Sequence, residues 1–453
     1  MQTITESDPS GGSRGHRRAL GLVKVAAVLA AAALITAACG SSSPSATKKS
    51  SDKHASASAS TTTTTSAAAS TTTSTTATTA KPATATVKAA TATTTTAKPA
   101  TPTNAAASTP GGSLSTGLTS TPSAALTGIG SSSIVPFYGK ALYEYHAANS
   151  AVTVNYSGSG SGPGVTAIEQ NTASFGQSET PMTAAQLAAS KGPVLQVPVD
   201  LGGVSLSYHL SGVAGGLKLN GPVLAQIYLR QITTWNDPAI AALNPGVNLP
   251  NENIIPVFRT DTSGPGYDVD QYLIDTSTAW TSAIGTTSPS TTWPTAGRAS
   301  GDTGEDLNAG VATYIQETEG AIGYVEYSYA LQANFTNAAV ANPAGAYVTP
   351  SVGTIANAGA QAASLSATNF NIINAAGAQA YPLANFSWAL VYQKQASTNT
   401  GIVLGKLFQW IITTAQGYSS GLGYAPLPAN AVAVAHQTLL GLETSSGSPI
   451  FTN

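Results

Sequence analysis

Four times between residues 125 and 275 an apolar run breaks into small polar residues and then resumes at helical spacing. Leu126-Thr127-Gly128-Ile129-Gly130 enters Ser131-Ser132-Ser133, and Val135, Phe137, Leu142 and Tyr145 then mark the apolar side of a helix. Val152 to Tyr156 alternates as a strand should and runs into Gly158-Ser159-Gly160-Ser161-Gly162-Pro163-Gly164, with a helix through Val165 and Ile168 beyond it. Ala173 to Ser178 is a short strand closing on Glu179, before a helix that begins near Met182. Ile254 to Phe258 reads as a buried strand, followed by Arg259-Thr260-Asp261-Thr262-Ser263-Gly264 and a helix carrying Tyr267, Val269, Tyr272, Leu273 and Ile274. Repeated strand–turn–helix units imply an α/β fold with a mostly parallel sheet, whose ligands lie beyond the C-terminal strand ends.

The last of these turns carries the most chemistry. The first N–H groups of a helix have no intrahelical partner, and the helix dipole puts partial positive charge there, so the turn is an anion site. Arg259 adds a planar fork suited to tetrahedral oxyanions. Asp261 repels a bare anion but suits one that carries a proton to donate, a description that fits protonated phosphate and not fully ionised sulfate.

Upstream, residues 1–39 have the pattern of an export signal. Arg14, Arg17, Arg18 and Lys24 precede an apolar core from Val25 to Ala38, too short to remain as a membrane span. Small residues lead into Cys39, the single cysteine of the chain, as in a bacterial lipoprotein box, with Thr36 where leucine is usual. Lipidation of Cys39 is expected, and no intrachain disulfide is possible. Residues 40–123 are almost entirely Ser, Thr, Ala and Pro, too poor in apolar side chains to offset chain entropy, and are expected to be a disordered tether. Such a coil spans on the order of 50 Å.

From residue 124 onward the chain is long enough for two lobes. It holds 8 Lys/Arg and 17 Asp/Glu, a net charge of −9, which argues against a nucleic-acid partner. An anion must therefore be captured by local dipoles and Arg259 against the overall field. Val194 to Val199 and Gly203 to Leu206 read as two strands, and Leu224 to Ile240 as a helical segment with Trp235 in its core. Residues 336–378 give no clear assignment.

An enzyme is not expected. Of five histidines, His16 and His54 precede residue 124, and His146, His209 and His436 lie near no nucleophile elbow. No His/Asp/Glu cluster has metal-ligand spacing, and no cofactor is implied.

Together these motifs resemble, in order and spacing, the substrate-binding lipoprotein of the bacterial ABC-type phosphate importer. The resemblance covers nearly all of 124–453 and adds Ile227-Tyr228-Leu229, Ile232 to Asp237, Leu243 to Gly246, Gly320 to Tyr329 and Leu422 to Pro428. It implies a two-lobe, type II periplasmic-binding-protein-like α/β fold, its mostly parallel sheets joined by a hinge of crossing strands. Lobe I would hold 124–202 and 379–453, and lobe II 203–378. Carried over by motif, the phosphate contacts are Ser132, Ser133, Ser161, Glu179, Arg259, Asp261, Ser263 and Gly264.

The resemblance also implies a monomer, lipid-anchored on the outer face of the cell membrane, that delivers inorganic phosphate to an ABC-type permease. Three departures bear on the ligand: Ser132-Ser133 where the family often has Thr-Phe, Glu179 for aspartate, and Pro265 for a threonine. Proline removes a hydroxyl and an N–H from the anion's surroundings. Two other readings therefore stand beside phosphate: a related oxyanion (a phosphonate or phosphate ester), or a surface adhesion protein that inherited the fold.

Overall fold

A computed structural model of the chain describes residues 113–116, 120–286, 292–294, 301–362, 365–366 and 371–452. Cys39 and all else expected of the first 112 residues lie outside the described residues. Strands and helices alternate from the start: β1 (Ala124–Gly130), α1 (Val135–Ala148), β2 (Val152–Gly158), α2 (Ser161–Gln170), β3 (Phe175–Ser178) and α3 (Ala184–Ala189). β4 (Val194–Tyr208) then leads to β5 (Lys218–Leu219), α4 (Gly221–Tyr228) and α5 (Pro238–Leu243). Alternation resumes with β6 (Ile255–Arg259), α6 (Gly264–Thr276), α7 (Thr278–Ile284), β7 (Thr303–Glu305), α8 (Leu307–Glu317), β8 (Ala321–Glu326) and α9 (Tyr327–Gln332). After β9 (Thr336–Asn337), β10 (Ala339–Ala341), β11 (Tyr347–Val348) and α10 (Val352–Ala360), the chain returns through β12 (Ala384–Tyr392), α11 (Thr398–Ile412) and α12 (Ala429–Leu440).

The main sheet runs β2-β1-β3-β12-β4-β8-β6-β7, with β9 also on β4. β1 pairs in parallel with β2 and β3, and β6 in parallel with β7 and β8. Between these parallel halves lie two antiparallel strands, β12 and β4, which cross from one half to the other. Both are buried over almost their whole length, and they carry Gln196, Asp200, Ser205, Ser207, Asn385 and Ser387 into the interior among their apolar residues. Their ladder steps from Ser387 paired with Asp200 to Trp388 paired with Pro198, leaving Val199 of β4 as the extra residue. Proline has no N–H to donate, and a bulge lets the pairing resume.

Four sequence expectations change. The two strands expected over 194–206 are one, because Gly202 and Gly203 continue β4 where other groups press on it. A Cβ on Gly202 would lie 2.6 Å from Glu326 Oε1, and one on Gly203 would lie 2.9 Å from Ile355. The helical segment at 224–240 divides into α4 and α5, since Arg230 takes φ +60° and Pro238 starts a new helix capped by Asp237. Trp235, between them, is fully buried. Val135, expected on the apolar side of α1, is 37% exposed and packs on Gly158, while Phe137, Tyr138, Ala141 and Tyr145 form the buried face. Part of the unassigned stretch after 336 forms β9, β10, β11 and α10. Among the described residues, no helix is long and apolar enough to cross a membrane.

Candidate functional site

The sheet brings the four glycine–serine turns together. The loops after β1 and β2 open α1 and α2, and the loop after β6 opens α6, capped by the Ser263 hydroxyl on Gly266 N–H at 3.1 Å. These loops meet closely. Gly162 N–H donates to the Thr262 carbonyl (3.2 Å), and the Tyr329 hydroxyl donates to the Ser132 carbonyl (3.0 Å). A Cβ on Gly162 would fall 2.5 Å from Thr262 Cβ, and one on Gly264 would fall 2.1 Å from Glu179 Oε2. Only glycine permits such approach. Ser133, Ser161 and Gly264 thus meet Glu179, Ser132 and Asp261 meet Arg259, and Ser263 precedes Gly264 at the start of α6.

Arg259 is 1% exposed. Its Nε and Nη2 each donate to an oxygen of Asp261 at 2.5 Å, a bidentate pair, and Nη2 lies 3.5 Å from Ser132 Oγ. Its own N–H donates to the Tyr324 hydroxyl (2.9 Å). Asp261 Oδ1 also accepts from Leu307 N–H at 3.1 Å, so the aspartate clamps the guanidinium to the start of α8. Nη1 is buried and has no hydrogen-bond partner among the described residues. A buried cationic donor without an acceptor is costly, and an anion at that position removes the cost.

The serine hydroxyls are oriented the same way. Ser161 Oγ accepts from Glu179 N–H (3.3 Å), and Ser263 Oγ from Gly266 N–H. Ser132 Oγ accepts from Asn308 Nδ2 (3.1 Å) and faces Arg259. With lone pairs engaged by N–H groups, each of these three has a hydroxyl proton to give. Ser133 differs: it accepts from Asn308 Nδ2 (3.1 Å) and donates to Glu179 Oε2 (3.0 Å).

Glu179 is 5% exposed, and burial raises its pKa to about 7. Hydrogen bonds from Ser131 and Ser133 and the charge of Arg259 pull the other way, while Asp261 adds to the rise. Burial likewise holds Asp200, Asp268 and Glu326 well above the ordinary carboxylate range, with Glu179 adding a repulsive contribution to each. Asp268 accepts from Asn385 Nδ2, and a cavity of about 20 Å³ lies between Glu179, Asp268 and Asn385.

Several members of the site escaped sequence reasoning. Asn308 opens α8 after β7, a three-residue strand too short to show as periodicity. Tyr424, within a motif that only the resemblance singled out, donates to the Ser133 carbonyl and accepts from the Ser328 hydroxyl (2.9 Å). Ser131 was legible as part of the first turn; its Oγ accepts from Ser133 N–H at 3.0 Å.

Two α/β halves bridged by crossing strands, with a buried arginine and oriented donors between facing loops, define a two-lobed solute-binding protein. In agreement, the PBP superfamily domain matches residues 55–414. The phosphate-binding protein PstS of Xylella fastidiosa is 35% identical over 315 residues, covering 69% of this chain and 84% of that protein. PstS of Pasteurella multocida is 37% identical over 319 residues, covering 69% and 89%. The chain belongs to the PBP superfamily and, within it, to the PstS family.

Among solved structures, the phosphate-binding protein from Stenotrophomonas maltophilia matches with a TM-score of 0.54 at 16% identity, covering 72% of this chain and 96% of that one. The periplasmic phosphate-binding protein PfluDING, solved with phosphate bound, matches at 0.56 and 18%, covering 70% and 99%. At these identities the likeness is one of fold.

Proposed function

We propose that this protein captures inorganic phosphate between its two lobes outside the cytoplasm and passes it to an ABC-type permease. It acts as a binding protein and not as an enzyme. The observation that carries the reading is Arg259: fully buried, fixed by Asp261, with Nη1 lacking a partner among the described residues. Ser132, Ser161 and Ser263 supply hydroxyl protons around it, and the N-termini of α1, α2 and α6 supply dipoles. Gly264 lets the chain approach Glu179.

Glu179 confers the choice of anion. With its pKa near 7 it can give a proton to a fully ionised phosphate oxygen or take one from a P–OH group. Sulfate has no proton to give at neutral pH, so the ionised form of Glu179 repels it, whereas phosphate can pair with either form. Asp261, committed on both oxygens to Arg259, contributes chiefly by holding that side chain. Pro265 gives up a donor, but as an early residue of α6 it pre-sets the backbone that presents Ser263 and Gly264.

The family supports the remaining assignments: lobe I over 124–202 and 379–453, lobe II over 203–378, and an export signal through residue 39. We further assign a lipid on Cys39, a monomer in solution and a tether that ends before residue 113, not at 123, since Leu114 is buried and Ser115 pairs with Thr452. Ligand bridging both lobes stabilises the closed form through contacts the open form lacks.

Anion-dependent melting of the ligand-stripped protein at pH 7 tests the reading. At a concentration 100 times Kd, a ligand bound only by the folded state adds about 2.7 kcal/mol. Phosphate should raise Tm at submillimolar concentration while sulfate leaves it unchanged. A response to methylphosphonate or glycerol phosphate but not to phosphate would transfer the site to those ligands.

A further inference from the structure

We infer that Asn308 is a positioning residue that fixes the donor direction of the Ser132 and Ser133 hydroxyls. The inference deepens the phosphate-binding reading and rests on it. Asn308 is fully buried, and its two ends are distinguishable. Oδ1 accepts from Glu326 N–H at 2.9 Å, so the amide nitrogen must face the serines. Nδ2 then gives one proton to Ser132 Oγ and one to Ser133 Oγ, both at 3.1 Å.

The consequence follows from what a hydroxyl can do. With a lone pair occupied by an N–H donor, each serine is turned toward giving its own proton. Ser133 gives it to Glu179 Oε2, at 3.0 Å, which stabilises the ionised carboxylate against burial. Ser132 has no acceptor for its proton among the described residues, and Arg259 Nη2 also faces its oxygen. Its proton is therefore available for a ligand oxygen that accepts. One amide thus sets two hydroxyls, one aimed at the ligand and one at the carboxylate that selects it.

Asn308 also connects the site to the crossing strands. Glu326, which anchors Oδ1 through its N–H, accepts from Gly203 N–H of β4 through its own side chain at 3.0 Å. A rigid support of this kind makes the donor array independent of the ligand's arrival.

The test is a mutant cycle on the full chain, with phosphate affinity read by calorimetry and folding checked by thermal melting. Asn308→Ala should weaken phosphate binding at least tenfold in the otherwise unchanged protein, roughly the loss of one hydrogen bond to a charged group. In the Ser132→Ala/Ser133→Ala background, read at millimolar phosphate, the same substitution should change affinity by less than about threefold, because the hydroxyls it orients are gone. If Asn308→Ala does not fold, Asn308→Ser takes its place in the cycle. Asn308→Asp, which keeps the acceptor for Glu326 N–H but draws both hydroxyls toward itself, should lose more than Asn308→Ala.

An equal loss in both backgrounds, or none in either, would overturn the inference while leaving phosphate binding intact. A parent protein that binds no phosphate would overturn the functional reading itself.

Discussion

In the proposed site, Arg259 is assigned the attraction of the anion and Glu179 its choice. Arg259→Lys keeps a charge but loses the fork that Asp261 holds and the orientation of Nη1. With hydrogen bonds to charged groups contributing about 1.5–3 kcal/mol each, phosphate affinity should fall by about 100-fold. Arg259→Ala should fall further, since Asp261 is then left without its partner. Glu179→Gln should weaken phosphate less but narrow its advantage over sulfate, because a glutamine has no proton to exchange. Parallel titrations with the two anions measure that ratio, and an unchanged ratio would remove Glu179 from the selection step.

At the scale of elements, close approach of glycine backbone is what brings the loops together. Gly264→Ala places a Cβ 2.1 Å from Glu179 Oε2 and 2.4 Å from Glu179 Cβ. Glu179 is buried and held by Ser133, so the first turn of α6 must move away. Phosphate affinity should drop at least tenfold, with a stability loss of about 1–3 kcal/mol from overpacking. Titration and melting of one variant check both. An affinity that survives would mean that the α6 N-terminus does not touch the ligand.

The same glycines and serines made much of the fold legible, because turn residues between apolar runs mark strand ends and helix starts directly. The glycine pair in β4 misled for the converse reason: glycine usually interrupts, but here it admits Glu326 and Ile355. Asn308 was hidden by the shortness of β7. Asp268 and Asp270 lie buried on α6, where a pattern of apolar residues counts acids as surface. Only packing shows that Asn385 and Trp280 hydrogen-bond to them.

For the molecule as a whole, buried acids link stability to pH. Glu179, Asp200, Asp268 and Glu326 all have pKa values raised by burial above those of an unfolded chain. The stability tied to their protonated forms is fully present below the ordinary carboxylate range and is lost as pH rises through the folded values. For Glu179 that loss accrues from the ordinary carboxylate range up to about pH 7, and for the other three it continues to well above that range. Tm of the ligand-free protein should fall from pH 5 to pH 8, and Glu179→Gln should flatten the part of the fall below pH 7. A Tm that rises over this range would mean that other groups govern the acid response.

The central claim is that a buried, aspartate-clamped arginine and oriented hydroxyls hold the anion while Glu179 selects phosphate over sulfate. Calorimetric titration of the ligand-stripped protein at pH 7 with phosphate and with sulfate, alongside Arg259→Ala, tests it most directly. Micromolar or tighter phosphate binding, no heat from sulfate, and loss of the phosphate signal in the variant are expected. Equal binding of both anions, or phosphate binding that persists without Arg259, would contradict it.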